Sequence, residues 1–201
     1  MVSYRIRRLH APGEPARRYH LFDRADQLLL VADLASPWLP ADEPPQVRFA
    51  RPDGERVASM DLPRPTDRRP EKQQNYAVIY EHAVYALITA PVRPPSGTTT
   101  PLTPLGSGVV WPFGRLMIEV EGHRWLALRW RDGDGPLLVL YDAAAAGLSL
   151  NVDRDSSDLP EPIGLLEVGA GEYDFDLTLP VGHLEQGPLL GLALVFLADS
   201  S

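Results

Sequence analysis

The C-terminal stretch GPLLGLALVFLADSS, from Gly187 to Ser201, contains the most apolar run of the chain. Gly187-Pro188 is a typical helix start, because a proline at the first helical position gives up only an amide that has no partner there anyway. From Leu189 to Ala198 no polar side chain interrupts the run, so a helix formed here has no face suited to water. We therefore predict a helix near 187–198 that is buried on every side.

A buried strand is the competing interpretation of this run, since buried strands are also apolar throughout. Leucine and alanine dominate the run and Val195 is its only β-branched residue, which favours the helix. At about 1.5 Å per residue the helix is about 16 Å long, roughly half of what a membrane-spanning helix needs. The run is thus expected to belong to the core of a globular domain.

Most of the remaining chain alternates apolar and polar residues with the two-residue period of β-strands. Val2, Tyr4 and Ile6 alternate with polar residues, and Pro52-Asp53-Gly54 is a turn signal between two further runs of this kind. Other turn signals stand at 24–26, 81–82, 121–123, 132–135 and 169–171. The pattern predicts about twelve short strands at hairpin spacing, and YDAAAAGL at 141–148 is compatible with a single helical turn.

A dozen antiparallel strands and one buried helix are most simply arranged as a closed barrel with the helix inside. We therefore predict a mainly β fold, an about twelve-stranded antiparallel closed barrel that encloses the hydrophobic C-terminal helix. The alternative is a sandwich onto which the helix docks. Residues 1–201 are interpreted as one domain, with proline-rich loop insertions near 63–75 and 91–108.

The net charge of −8 is distributed unevenly. Residues 1–75 contain 13 basic and 11 acidic residues, a balance of +2, whereas residues 76–201 contain 6 and 16, a balance of −10. This acidity disfavours nucleic acid as a partner. The chain has no cysteine, its first residues lack a signal-peptide pattern, and Lys72 is its only lysine, which is typical of GC-rich genomes. A cytoplasmic bacterial protein is the expectation.

Motifs for catalysis, metal binding or cofactor binding are weak in this sequence. The five histidines are spread widely, and solvated surface positions are expected for them. The run DRDSSD at 153–158 gathers carboxylates, yet it lacks the central glycine and the closing glutamate of a calcium loop. We find no phosphate-binding loop or nucleophile elbow. The sequence therefore predicts no catalytic residue, no metal, no cofactor and no enzymatic activity.

Basic residues in the first half of the chain are the candidates for an anion site, because arginine can grip two oxygens of a phosphate at once. Arg5 and Arg7 lie on the same face of a regular strand, and Arg8 follows them. The alternative is that these side chains are solvated on the wet face of the barrel, interleaved with Asp67 and Glu71. The candidate anion or headgroup ligands are Arg5, Arg7, Arg17, Arg18, Arg64, Arg68, Arg69 and Lys72.

The sequence resembles the tubby C-terminal superfamily, which includes the LURP-one-related proteins and the phospholipid scramblases. The resemblance rests on the hairpins YHLFDRADQLLLVADL and VRFARPDGERVASMDL and on the closing LLGLALVFLAD, and it covers nearly the whole chain. It implies a barrel threaded by the C-terminal helix and, as in tubby domains, binding of phosphoinositide headgroups through basic residues. It transfers no lipid ligand position by position, and a cysteine-rich palmitoylation segment like that of scramblases is absent.

Three functional hypotheses follow from the sequence. The first is a non-catalytic barrel that binds a protein partner or acts as a scaffold. The second is a module that binds phospholipid or phosphoinositide headgroups at a membrane surface, with binding that weakens in salt. The third is an enzyme whose pocket is assembled from residues distant in sequence.

Overall fold

The computed structural model describes residues 1–9, 17–34, 46–62, 74–90, 104–105, 109–110, 115–129, 137–150, 159–171, 174–180, 184 and 186–199. The acidic run at 153–158 and the turn predicted at 132–135 lie outside these residues. Most of the two predicted insertions lie outside them as well.

Twelve antiparallel strands form the closed barrel that the alternating pattern predicted. The described strands are β1 Val2–Arg8, β2 Arg18–Phe22, β3 Leu28–Leu34, β4 Gln46–Ala50, β5 Arg56–Asp61, β6 Gln74–Tyr80, β7 Ala83–Ala90, β8 Pro104–Leu105, β9 Val109–Val110, β10 Arg115–Val120, β11 His123–Arg129, β12 Leu138–Asp142, β13 Gly164–Val168 and β14 Asp174–Leu179. Around the barrel the order is β1-β14-β13-β12-β11-β10-β7-β6-β5-β4-β3-β2, and β1 closes the ring by pairing with both β14 and β2. A separate antiparallel sheet consists of β8 and β9.

The few described residues within the two predicted insertions belong to strands. Gln74 continues the alternation of the buried residues Tyr76 and Val78 and begins β6. Near the end of the insertion predicted at 91–108, β8 pairs with β9. Valine, which favours strands, makes up β9, and the proline-rich composition of this segment concealed the pairing.

Three successive hairpins have a β-bulge at equivalent positions. Leu29 in β3, Val57 in β5 and Tyr85 in β7 each lie opposite a register shift, and successive bulges are separated by 28 residues. All three side chains are half-buried and pack against the main core. The turns of these hairpins lie at one end of the barrel, here called the hairpin end. The bulges therefore bring apolar side chains inward at that end and increase the local twist.

The predicted C-terminal helix is confirmed as α2, Gly187–Ala198, with a proline in its first turn. Every residue from Leu189 to Ala198 is buried, and these residues share one core cluster with the inward-facing residues of the strands. Gly191 permits a close approach to β14, because a Cβ atom there would collide with the side chain of Leu177. The helix runs in the same direction as β1, away from the hairpin end.

A second apolar cluster covers the outer face of β10, β11 and β12. It includes Met117, Leu126, Leu128 and Tyr141, all buried. The short helix α1, Ala143–Ala146, and the residues that follow it lie over this face, as the pattern at 141–148 allowed. The Asp142 side chain caps α1 by accepting a 2.9 Å hydrogen bond from the backbone N–H of Ala145. This part of the wall is consequently buried on both faces.

Candidate functional site

Two of the arginines near the start of the chain point into the barrel. Ile6 of β1 and Leu21 of β2 pair with each other and point into the barrel. Arg8, the last residue of β1, and its partner Tyr19 lie two residues further along each strand, so they point inward as well. Arg17 precedes β2 and continues its row of inward-pointing residues. The exposed fractions of Arg8 and Arg17 are only 8% and 5%. These positions lie at the end of the barrel opposite the hairpin end.

Asp199, the residue that follows α2, is the common partner of these side chains. Arg8 donates from Nη1 to both carboxylate oxygens of Asp199, at 2.9 and 3.1 Å. The Tyr19 hydroxyl donates to the same carboxylate at 2.6 Å. Arg17 donates from Nη2 to Tyr19 Oη at 3.0 Å and to the backbone carbonyls of Phe196 and Asp199. We call Arg8, Arg17, Tyr19 and Asp199 the inner cluster.

The inner cluster neutralises the C-terminal end of α2. The last carbonyls of a helix have no partner within the helix and lie at the negative end of its dipole, so cations stabilise this end. Arg17 also stacks over the Phe196 ring, 4.3 Å from guanidinium carbon to ring centroid. Burial raises the pKa of the Tyr19 hydroxyl well above its usual range, which keeps it a proton donor to Asp199. The cluster holds α2 at a fixed depth against β1 and β2.

The sequence grouped Arg8 and Arg17 with the other basic residues of the first half, as candidate anion ligands or, in the alternative, as solvated side chains, whereas the structure buries both. The signal that could have separated them is the alternation itself. Arg8 is two residues after Ile6, and Arg17 is two before Tyr19 and four before Leu21, so both occupy inward positions. A lone aspartate directly after an apolar helix is the matching partner.

The other described candidates, Arg5, Arg7 and Arg18, have side chains that are 39%, 49% and 57% exposed. Each of them contacts a carboxylate, and we call the three contacts the outer pairs. Arg7 Nε lies 3.1 Å from Asp174 Oδ1 on β14, and Arg18 Nε lies 2.5 Å from Asp33 Oδ1 on β3. The third pair joins Arg5 to Asp26 in the turn after β2.

His20 lies between the outer arginines on β2. Burial lowers the pKa of His20, and the positive charges of Arg18 and Arg7 lower it further, while Asp33 opposes the shift. A histidine that is neutral near pH 7 adds no positive charge to this face. The outer pairs therefore form a surface of compensated charge, with a carboxylate beside each arginine.

The remaining anion candidates, Arg64, Arg68, Arg69 and Lys72, lie outside the described residues. The assignment of the eight basic residues to an anion or headgroup site stays a prediction. Within the described residues, the structure brings Arg5, Arg7 and Arg18 to one outer face of β1 and β2. Arg17 is buried and therefore does not share this outer face.

A groove of about 480 Å³ opens at the hairpin end, between the β4–β5 hairpin and the β6–β7 turn. We call it the hairpin groove. Charged residues from both hairpins line it, together with apolar and hydroxyl-bearing residues of β5 and β6. Its lining residues are Arg51, Glu55, Arg56, Val57, Ala58, Ser59, Ile79, Tyr80, Glu81 and His82.

The turn that borders this groove has a strained backbone. Glu81 and His82 have φ values of 47° and 67°, in the left-handed region that glycine adopts freely and that, among other residues, asparagine, aspartate and histidine adopt most often. A two-residue hairpin turn with both residues left-handed is usually built from Asn-Gly. The β10–β11 turn also has a glutamate at its first position, Glu121 with φ 45°, but it follows the preference at its second position, Gly122 with φ 79°. The β6–β7 turn differs in having His82 at the second position, beside the groove, at a conformational cost.

Among the described residues, no group of three or more histidine or acidic side chains is arranged to hold a metal ion. No helix in the described part of the chain has the length and apolar character needed to cross a membrane.

Compared with known proteins, the chain matches no protein-family model, no curated protein and no solved structure.

Proposed function

We propose that this protein is a non-catalytic barrel that binds a protein partner on its outer surface, through the hairpin groove. The observation that carries the proposal is the Glu81-His82 turn, which keeps two large polar side chains at the groove in a strained conformation. Backbone strain of this kind is frequent at ligand-binding positions. It supports the groove as the place where a partner binds.

The interior of the barrel supports the same proposal. We infer that α2 fills the barrel, because its residues are buried among the inward side chains of the strands. A barrel filled by its own helix leaves its outer surface for binding, unlike small barrels that hold a ligand inside.

The closed ring of twelve strands with an apolar C-terminal helix also supports membership of the tubby-like superfamily, which we propose as its fold family.

Site-specific photo-crosslinking in cells tests the partner proposal. A photoreactive phenylalanine derivative replaces His82 at the groove or, as the control, Glu167 in β13, which lies four strands from β7 around the barrel. We expect a discrete adduct with a polypeptide from position 82 and none from position 167. No adduct at position 82, or the same adducts at both positions, would contradict the proposal.

Binding of phospholipid headgroups is the second candidate, and Arg5, Arg7 and Arg18 are its described candidates. A carboxylate beside each of these arginines weakens their attraction for an anionic headgroup, so we rank this function below partner binding. Liposome flotation with and without phosphoinositide, across a salt series, separates the two. Selective, salt-sensitive binding that is lost on joint substitution Arg5→Ala and Arg7→Ala would place headgroup binding first.

A further inference from the structure

We propose that the hairpin groove binds an extended peptide segment carrying one acidic and one basic side chain, an inference that rests on the proposed function. In this proposal the groove recognises the order of the two charges along an extended peptide strand.

The strand edge beside the groove supports an extended ligand. β5 pairs with β6 only at Ala58, Ser59 and Met60, so Arg56 and Val57 extend past Tyr80, the last residue of β6. The β4–β5 hairpin therefore overhangs its neighbour and forms one wall of the groove. A peptide in extended conformation can lie along such an edge, as in recognition by strand addition.

The charges of the groove support a ligand of mixed charge. Arg51 and Glu55 form an ion pair with each other within the hairpin tip. Arg56 donates to the neutral amide oxygen of Gln46 at 3.3 Å, and among the described residues neither Arg56 nor Glu81 forms an ion pair. The groove thus presents one cation on the β5 side and one anion on the turn side. A peptide with an acidic residue at Arg56 and a basic residue at Glu81 complements both.

The turn beside the groove offers a direct test of this ligand. A Glu81→Asn, His82→Gly double variant gives the turn its preferred residues while removing the anion. We expect this variant to unfold at a higher denaturant concentration than the wild type and to lose peptide binding. A purely structural role for the turn predicts no loss of binding.

Selection from a random heptapeptide display library on the intact protein tests the proposal. Wild-type protein should enrich peptides with one acidic and one basic residue at a fixed spacing. The charge-swap variant Arg56→Glu, Glu81→Arg should bind those peptides about tenfold more weakly or worse and should enrich the reversed order of charges. The matched control swaps the exposed pair Glu119 and Arg124 on the β10–β11 hairpin, 3.8 Å apart, and should retain the wild-type selection.

Two results would overturn the proposal: no sequence enriched on the wild-type protein, or peptides whose affinity is the same for wild type and charge-swap variant. The outcome is separable from that of the crosslinking experiment. A polypeptide adduct at position 82 together with a failed selection leaves partner binding in place and removes only the extended peptide. Failure of the adduct removes the proposed function itself.

Discussion

Arg7 and Arg8 are neighbours in β1, yet they belong to different parts of the molecule. Arg7 points outward, is half exposed and contacts Asp174 on the adjacent strand. Arg8 points inward, has a side chain only 7% exposed and binds Asp199, 191 residues away in sequence. Residue type and sequence neighbourhood are nearly the same for both. The face of the strand alone decides whether an arginine meets water or the end of a buried helix.

The difference between the inner cluster and the outer pairs is one of energetic role. An exposed ion pair gains little because water solvates each charge almost as well as the partner does. A buried charge has lost its water, so removal of its partner leaves it uncompensated. The inner cluster should therefore hold α2 in register, whereas the outer pairs should affect surface charge with little effect on stability.

Removal of the shared carboxylate should have the largest effect. Asp199→Ala leaves Arg8 and Tyr19 buried without their acceptor, and we expect the free energy of unfolding to fall by about 3–5 kcal/mol. Chemical denaturation measures this loss. Asp33→Ala, which removes the exposed partner of Arg18, is the matched control and should cost less than about 1 kcal/mol. Equal losses in the two variants would show that burial of the cluster is not energetically important.

Arg17 should contribute less than Asp199, because part of its role is packing on Phe196. In Arg17→Met the apolar stem is kept while the hydrogen bonds to the helix carbonyls are lost, at an expected cost of about 1.5–3 kcal/mol. Arg18→Met changes the next residue, on the outward face, and serves as the control in the same denaturation experiment. A cost for Arg17→Met no greater than for Arg18→Met would contradict the assigned role.

Salt should distinguish the two kinds of pair. A double-mutant cycle on Arg7 and Asp174 is expected to give a coupling of about 0.2–1 kcal/mol that fades as ionic strength rises. The same cycle on Arg8 and Asp199 should give a larger coupling that persists in high salt, because buried charges are screened less. Two cycles with the same salt dependence would remove the distinction between inner and outer arginines.

The smallest expected effect concerns His20. Because Arg18 lowers the pKa of His20, Arg18→Gln should raise it, which an NMR titration of the imidazole measures. In the wild type the native pKa lies below the reference value of 6.5, so the unfolded chain takes up the proton first as the pH falls. This histidine's contribution to stability is therefore present above about pH 6.5 and is lost as the pH falls toward the native pKa. An unchanged or lower pKa in Arg18→Gln would contradict the electrostatic account of this face.

The barrel and its helix could be predicted from sequence because their signals are local. Strict alternation in β1 and β14 marks one buried face, and the run at 189–198 has no polar residue, which identifies a fully buried helix. The outer apolar cluster had a signal as well. In Trp125-Leu126-Ala127-Leu128 of β11, residues on both faces are apolar, as in strands covered on both sides.

The inner cluster and the hairpin groove depend on contacts that no local pattern contains. Alternation can place Arg8 and Arg17 on the inward face, but the position of Asp199 beside them follows only from the closed topology and the direction of α2. The groove depends on how far the β4–β5 hairpin extends past β6, which the register determines. The polar side chains of Glu81 and His82 are evident in the sequence, whereas their left-handed backbone is not.

Amide hydrogen exchange of α2 tests the central claim, that the helix fills the barrel and is anchored by the inner cluster, most directly. If the helix is enclosed, the amides from 191 to 198 can exchange only when the barrel itself opens. We predict that their opening free energies equal the global free energy of unfolding and decrease with denaturant with the global slope. A smaller, denaturant-independent opening free energy for these amides, with the strand amides still protected, would contradict the account. It would show that the helix detaches while the barrel stays closed.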